Sequence, residues 1–404
     1  MTESPGLPLT LAEMGERLRA RPPLARIAFV GLIGFALSAP FSISVSQIFV
    51  FGAIAAWLLS LWREEAARPA RFPLWRPFAL FAALTVASAA LSDDPARSLK
   101  DTRQLVQILI FYCALNTMRD DAEGVWLTRA LLAATGFAAV FTLGAALAFP
   151  LGLTNRMSGF FSIYMTLGGF LLVVGSLAFA YLMLPGGPPR GAWVWAAGAL
   201  IIAALMTTFS RNAWLGLLVA SLAVVLAGRS RRGIALLAAA GLAVLLLSPA
   251  SVRQRLRSIG DPKDRTAVER IYMWESGLRM VRDRPLLGFG LDMIKRNYTG
   301  YADPRAVKKR TGHLHNNILH IAAERGLPAL AAWLWVWAAY FWAVWRGVRA
   351  TRAGPFARRF RMVGGLAALA GFFAAGFFEY NFGDSEVVMT AYLAMALPFM
   401  GEDP

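Results

Sequence analysis

Cysteine, histidine and charge are all scarce in this chain of 404 residues, which has one cysteine and three histidines. The single Cys113 has no partner, which excludes an intramolecular disulfide. Charged residues make up 16% of the chain and hydrophobic residues 57%. Soluble domains carry about 25% charged residues. The composition therefore indicates a membrane protein.

Long apolar runs are abundant, and several approach or exceed the roughly 20 residues that a helix needs to cross a bilayer. The runs are continuous rather than alternating, which does not fit a transmembrane β-barrel. We therefore expect an all-α polytopic membrane protein with about twelve transmembrane helices. Apolar length and breaks at glycine, proline and charge place them at 26–39, 43–62, 77–91, 104–118, 126–149, 160–184, 192–209, 212–227, 233–249, 317–345, 362–381 and 386–400.

Basic residues outnumber acidic ones by 41 to 24, which gives a net charge of +17. The arginines lie between apolar spans, where topology and contact with membrane lipids account for them, so no nucleic-acid partner is expected. With a cytoplasmic amino terminus, the inner segments hold most arginines, as the positive-inside rule requires. The short outer loops hold only Arg97, Lys100, Arg103, Arg156 and Arg211.

This orientation divides the chain into three parts. Residues 1–249 form transmembrane helices 1–9, residues 250–316 form a large periplasmic loop between helices 9 and 10, and residues 317–404 form helices 10–12. Within the loop, one apolar stripe at helical spacing predicts an amphipathic helix that lies along the membrane surface or packs over the bundle. The stripe consists of Ile271, Trp274, Leu278 and Val281.

All three histidines fall within eight residues, just before the apolar run that starts near 317: His313, His315 and His320. Histidine is the side chain that can take or give a proton near neutral pH. Several cations lie just upstream, including Lys308 and Arg310. A proton-accepting group beside fixed cations suits chemistry on an anionic substrate.

Other interpretations of these residues compete with catalysis. His320 is five positions past His315 and does not share its helical face, so it is expected to support the site. Glu324 is one turn from His320, and a pair between the two is an alternative explanation of this histidine. A zinc site of the three histidines matches no common zinc spacing, and we expect no metal. Four carboxylates near outer helix ends either bind sugar hydroxyls or a cation, or are simply solvated: Asp93, Asp94, Glu379 and Asp384.

Arg211 lies at a tight outer hairpin between two apolar runs. Such an arginine either reaches the lipid headgroups or faces a polar cavity within the bundle. The histidine-bearing loop on the same side favours the cavity. The planar guanidinium group suits phosphate oxygens, which it can bind through two parallel hydrogen bonds.

The segment from His315 to Ala329 resembles a motif of the bacterial O-antigen ligases and related O-antigen polymerases, the WaaL and Wzy group. In that motif a histidine is followed by Asn, Ser or Gln, nine residues, Gly, two residues, and Gly, Thr or Tyr. His315, Asn316 and Gly326 match it, and Ala329 departs from the final position.

Two more segments resemble this family. Ser210 and Arg211 are similar to its outer arginine. Its loop motif is similar to Arg270, Trp274, Pro285, Leu286, Leu287, Gly288 and Gly290. The resemblance covers residues 190–345 in detail, and the expected fold is like that of the GT-C membrane glycosyltransferases.

The resemblance implies an inverting, metal-independent glycosyltransferase without a cofactor. It would move an undecaprenyl diphosphate-linked glycan onto a hydroxyl of lipid A-core at the periplasmic face of the inner membrane, with ligase favoured over polymerase. It implies that Arg211 and Arg270 bind the diphosphate and that His315 is the general base. Residues expected to support the site or bind substrate are His313, Asn316, Arg265, Arg310 and His320.

A lipid-linked glycan flippase or other transporter is the alternative from a different class. It would have related halves and charges near the bilayer midplane. The sequence has no clear repeat, and its polar residues concentrate at the predicted outer surface.

Overall fold

A computed structural model describes residues 10–64, 69–149, 152, 155–188, 190–247 and 264–401. Throughout these ranges the regular structure is helical, with short 3-10 segments and no strand, which confirms the predicted all-helical class. The first part of the predicted outer loop, residues 250–263, lies outside the described residues, as does the end of the predicted span 233–249.

Sixteen α-helices are described, and they are numbered here in chain order. The first eight are α1 Leu11–Arg19, α2 Pro23–Ser38, α3 Ile43–Arg63, α4 Trp75–Ala90, α5 Pro95–Asp101, α6 Ile108–Thr117, α7 Asp121–Ala148 and α8 Tyr164–Met183. The others are α9 Ala192–Thr207, α10 Arg211–Gly228, α11 Arg231–Leu247, α12 Arg265–Asp283, α13 Ile294–Tyr301, α14 Asn317–Ala350, α15 Phe356–Ala375 and α16 Ser385–Ala396.

Each predicted span overlaps a helix, but the helices differ in length. In the described ranges, five are long and apolar enough to cross a membrane: α3, α7, α8, α10 and α14. The helices α2, α4 and α9 are apolar but shorter, and so is the segment Ser385–Phe399. The predicted span 104–118 divides into a 3-10 turn, Thr102–Gln107, and the ten-residue α6. The chain is a multi-pass membrane protein, and the number twelve stays a prediction.

Helix α8 forms the centre of the bundle, with 89% of its most apolar window buried inside the protein. Small residues bring neighbouring helices close together. A Cβ at Gly216 in α10 would lie 2.7 Å from the carbonyl oxygen of Gly371 in α15. Close backbone approach of this kind is the usual way in which membrane helices pack.

The predicted amphipathic helix exists as α12. Of the apolar stripe seen in the sequence, Val281 is buried inside the protein. Ile271 and Leu278 are 45% and 42% exposed. The buried side includes Met273 and Met280 together with Gly277. The helix is turned this way because Leu314 packs on Gly277, where a Cβ would lie 2.7 Å from Cδ1 of Leu314.

Candidate active site

The start of α14 is fixed by two asparagines. Asn316 is the N-cap of α14, and its side-chain oxygen accepts a hydrogen bond from the backbone N–H of Leu319 at 3.0 Å. The Nδ2 atom of Asn316 donates to the carbonyl of Phe377 at 3.0 Å. Asn317 donates from Nδ2 to Oδ1 of Asn381 at 2.7 Å. These bonds join α14 to the turn between α15 and α16.

A break in α14 at Gly326 receives the loop that follows α12. Gly326 has φ +80°, and the next residue but one is Pro328, which has no N–H. The carbonyls of Ala323 and Glu324 therefore lack their helical donors. The backbone N–H groups of Phe289 and Gly290 donate to these carbonyls at 2.9 and 2.8 Å. The loop and histidine motifs thus meet in one junction.

The peptide groups of Leu314 are held from both sides. Its N–H donates to Nδ1 of His320 at 3.3 Å, and its carbonyl accepts from Nε1 of Trp274 at 3.2 Å. The side chain of Leu314 is fully buried. Because Leu314 is anchored, the side chains on either side of it, His313 and His315, have a defined position.

His320 uses both ring nitrogens inside the protein. Its Nδ1 accepts from Leu314, so Nε2 carries the proton and donates to Glu324 at 3.1 Å. Its ring stacks on Tyr380 with centroids 3.5 Å apart. His320 is 1% exposed and does not line the cavity described below. This geometry gives it a supporting role.

His315 faces a carboxylate that comes from the turn before α16. Its Nδ1 lies 2.9 and 3.0 Å from the two carboxylate oxygens of Glu379. The backbone of His315 is left-handed, with φ +48°, a conformation that is uncommon for residues other than glycine and is concentrated at functional sites. The left-handed backbone and the bond to Glu379 together fix the direction of the imidazole ring.

Glu379 is ionised despite its burial. Burial raises the pKa of this carboxyl, but the hydrogen bond from His315 and the favourable electrostatic interactions with the two nearby histidine rings and Arg270 outweigh it, so the pKa of Glu379 lies below its ordinary value. An ionised carboxylate only accepts hydrogen bonds. In the neutral form of His315 the proton is therefore on Nδ1, and Nε2 is the ring nitrogen with the lone pair.

His313 packs edge-on against His315, with ring centroids 4.2 Å apart. Its Nδ1 lies 3.5 Å from Oε1 of Glu379 and is buried without a hydrogen-bond partner in the described structure. Burial lowers the pKa of His313 to about 4, although Glu379 acts in the opposite direction. His313 is therefore neutral at pH 7.

Both histidines open into a cavity of about 420 Å³ between the starts of α8, α10 and α12. Its charged lining is strongly unbalanced, with five cations and one carboxylate. The cations are Arg156, Arg211, Arg265, Arg270 and Lys308, and the carboxylate is Glu269. Such a lining favours an anionic ligand.

The two arginines singled out from the sequence are both in this cavity. Arg211 donates from Nη2 to Thr266 at 2.8 Å and to Asp264 at 3.2 Å. Arg270 lies with Nη2 3.5 Å from Oε2 of Glu379. Arg270 thus adjoins the same carboxylate that holds His315.

The structure separates the remaining expected site residues. Arg265 lines the cavity, whereas Arg310 is exposed and does not belong to the lining. Asn316 shapes the start of α14 without lining the cavity. Lys308, noted in the sequence only as part of the basic surroundings, does line it.

Sequence reasoning missed Arg156 as a site residue and left the role of Glu379 open. Glu379 was one of four carboxylates near predicted helix ends, and its position there did not separate it from a solvated acid. Arg156 lies over the ring of Tyr164, 4.5 Å from its centroid, at the cavity wall. In the sequence, Arg156 stood out only as a charge in a short outer loop, and the predicted topology already accounts for a charge at that place.

One group in the described ranges could hold a metal ion, and it is not the histidine trio considered from the sequence. It consists of His313, His315 and Glu379, whose donor atoms lie within 4.8 Å of one another. His320 is not part of it because Leu314 and Glu324 occupy its two nitrogens.

Comparisons with known proteins agree with the motifs. Residues 196–334 match the family model described as O-antigen ligase. The exopolysaccharide production protein ExoQ of Rhizobium meliloti (strain 1021) is 26% identical over 323 residues, which span 74% of this chain and 71% of that protein. The two matches support an activity of the O-antigen ligase or polymerase type. They confirm the resemblance of this chain to the O-antigen ligase and polymerase family.

Proposed function

We propose that this protein is a glycosyltransferase that moves a glycan from undecaprenyl diphosphate to an acceptor hydroxyl, at the periplasmic face of the bacterial inner membrane. The observation that carries the proposal is the adjacency of two features. A histidine held by a buried carboxylate, the His315–Glu379 pair, opens into a cavity whose lining is rich in guanidinium groups.

The cations serve the leaving group. A sugar bound to a diphosphate needs stabilisation of the negative charge that develops as the glycosidic C–O bond breaks. Arg211 and Arg270 reach the cavity from α10 and α12, and fixed guanidinium groups stabilise such charge. Arg265 and Lys308 add to the positive field. The bond's electron pair leaves with the diphosphate.

His315 serves the nucleophile. The acceptor hydroxyl forms a bond to the anomeric carbon while its proton passes to Nε2 of His315, and attack opposite the diphosphate inverts the configuration. Glu379 keeps the proton on Nδ1 and stabilises the imidazolium that results. His313 lies beside His315 and lines the same cavity, and neither the arginine nor the histidine step uses a metal.

The first candidate for the acceptor is a sugar of lipid A-core, because the family model that matches the chain is described as O-antigen ligase. The second candidate is the end of another lipid-linked glycan, which would make the protein a polymerase. It is supported by the relative ExoQ, which is named an exopolysaccharide production protein.

Purified protein in liposomes, given a synthetic undecaprenyl diphosphate glycan and either acceptor, tests these candidates. Transfer to lipid A-core supports the ligase, and transfer to a second lipid-linked glycan supports the polymerase. His315→Ala protein is the matched control for both reactions. If neither acceptor receives glycan and the donor crosses the liposome membrane, the protein is a transporter and not a glycosyltransferase.

A further inference from the structure

The three groups around His315 also form a ligand set for a metal ion. Nδ1 of His315 lies 2.9 Å and Nδ1 of His313 lies 3.5 Å from the same oxygen of Glu379. Two imidazoles and one carboxylate are an established zinc ligand set that leaves a fourth position open. Each of the three residues contributes one atom, and all three atoms lie within 4.8 Å of one another.

The spacing of each histidine nitrogen from Glu379 is close to that around a tetrahedral ion. Ligands about 2.0 to 2.1 Å from zinc at tetrahedral angles are about 3.3 to 3.4 Å apart. The observed separations of 2.9 and 3.5 Å from Glu379 lie on either side of this value, and all three donor atoms lie within 4.8 Å of one another. Rotation of the side chains, with the backbone anchored at Leu314, would bring the three atoms around one ion.

One of the three donors has no other role within the described structure. Nδ1 of His313 is buried and makes no hydrogen bond. A buried polar atom without a partner costs free energy, and a bound cation would satisfy it. The histidine is also accessible from outside, because it lines the cavity and its side chain is 35% exposed.

We propose that His313, His315 and Glu379 form a zinc-binding site, and that zinc bound there blocks the transfer reaction reversibly. The statement that zinc blocks transfer rests on the proposed function. Zinc would take the place of the proton on Nδ1 of His315. A neutral imidazole with a metal on Nδ1 carries its proton on Nε2, so the lone pair that accepts the acceptor's proton is lost.

The charges nearby determine which cations compete. Arg270, 3.5 Å from Glu379, opposes any added positive charge. A hard ion such as Mg²⁺ gains little from imidazole nitrogens, whereas Zn²⁺, Co²⁺ and Ni²⁺ bind them well. The site should therefore select transition metals and leave the protein unaffected by magnesium.

Binding is measured on purified protein in detergent without any substrate. Cobalt serves as the spectroscopic probe, because four-coordinate Co²⁺ has strong visible bands, and zinc titration by calorimetry gives the affinity and stoichiometry. Wild-type protein should bind one ion. His313→Gln and Glu379→Gln should each weaken zinc binding by at least about 10- to 100-fold. Changing a residue that only orients a metal ligand already costs this much, and these variants remove a ligand itself.

The control for binding is Asp283→Asn, which removes an exposed carboxylate outside the cluster and should leave the zinc affinity unchanged. Thermal melts of each variant separate lost ligands from lost folding. Equal zinc affinity in wild type and a folded His313→Gln variant would overturn the site, and so would the absence of binding at millimolar zinc.

Inhibition is measured by adding zinc to the transfer assay, with each variant compared with its own rate in chelator. Zinc should inhibit the wild type, excess chelator should restore the rate, and His313→Gln should need at least about tenfold more zinc. If zinc binds through the three residues without slowing transfer, the proposed inhibition is wrong. A protein that binds zinc but transfers no glycan in chelator would instead contradict the proposed function.

Discussion

The carboxylate of Glu379 lies 2.9 Å from Nδ1 of His315, although the two residues are 64 positions apart in the chain. The contact exists because two asparagines join the start of α14 to the turn that carries Glu379. A carboxylate behind a histidine fixes its tautomer and stabilises its protonated form. The pair therefore has the geometry of a general base and its positioning residue.

The first prediction concerns Glu379→Gln, which keeps the shape of the side chain but removes its charge. The amide can donate to Nδ1 of His315 and favour the tautomer in which Nε2 carries the proton. We expect kcat to fall by about 10²-fold or more, with Glu379→Asp restoring part of it. Glu275→Gln, an exposed carboxylate paired with Arg305, is the control. A glutamine variant within twofold of wild-type kcat would exclude this role.

The second prediction concerns the base itself. His315→Ala should insert and fold normally and still bind donor, because the alanine leaves the cavity arginines in place. Transfer should slow by about 10² to 10⁴-fold, the usual contribution of a general base. Turnover is measured by gel separation of the glycan product, and donor binding by a separate titration. Near-normal turnover would remove His315 from the mechanism.

His320→Ala should behave differently from His315→Ala. His320 is buried, holds Leu314 and pairs with Glu324, so its loss should lower the thermal stability as well as the rate. Leaving buried polar partners unpaired costs on the order of 1 to 3 kcal/mol each. A detergent melt beside the transfer assay distinguishes the two variants. An unchanged melting temperature would contradict the supporting role.

The helices and two of the cavity arginines, Arg211 and Arg270, were predictable from the sequence because their signals are local. Apolar length gives each helix, and Arg211 and Arg270 lie in short motifs. The sequence left the role of Glu379 open, since its pairing with His315 depends on a contact between distant segments. The face of α12 that packs inside the protein was not predictable for the same reason. It depends on Leu314, which belongs to another segment and packs on Gly277.

The sequence also did not show which of the cations upstream of the histidines line the cavity. Lys308 and Arg310 are two residues apart, yet only Lys308 lines the cavity. The segment has no regular helix there, so no periodicity indicates which side chains point inward. Which of these two cations lines the cavity depends on how the loop packs against α12.

The next prediction tests whether the cavity arginines bind the diphosphate, with the exposed Arg310 as the comparison. Lysine in place of Arg211 or Arg270 keeps the charge but loses the planar group that binds two phosphate oxygens. Donor affinity should weaken by an amount on the order of 2 to 5 kcal/mol for a desolvated contact. Arg310→Lys, exposed and outside the cavity, is the matched control and should bind donor normally. If both cavity variants keep wild-type affinity, these arginines do not recognise the diphosphate.

Topology gives a prediction that does not depend on activity. Cysteine is introduced at Gly300 or at Pro355 in a Cys113→Ser background, since Cys113 is the single native thiol and is buried. An impermeant maleimide added to the periplasmic side should label position 300 and leave position 355 unlabelled until the membrane is opened. The reverse pattern would place the cavity on the cytoplasmic side and contradict the proposed site of transfer.

The last prediction concerns the junction between the loop after α12 and the break in α14. Gly326 and Gly288 have φ values of +80° and +66°, and a Cβ would lie 2.1 Å from the carbonyl oxygen of Leu286 and 2.4 Å from the backbone of Glu324, respectively. Backbone atoms cannot move aside as a flexible side chain can. Gly326→Ala or Gly288→Ala should therefore force the loop off the helix break.

Each of these substitutions should cost about 1 to 3 kcal/mol from backbone strain alone, with a further loss as the carbonyls of Ala323 and Glu324 lose their donors. The measurements are a detergent melt and the transfer rate, both of which should fall. Gly300→Ala in α13 is the control, because a Cβ there meets nothing within 4 Å, and it should be neutral or slightly stabilising. Junction variants that melt and transfer like Gly300→Ala would show that the loop does not depend on this close contact.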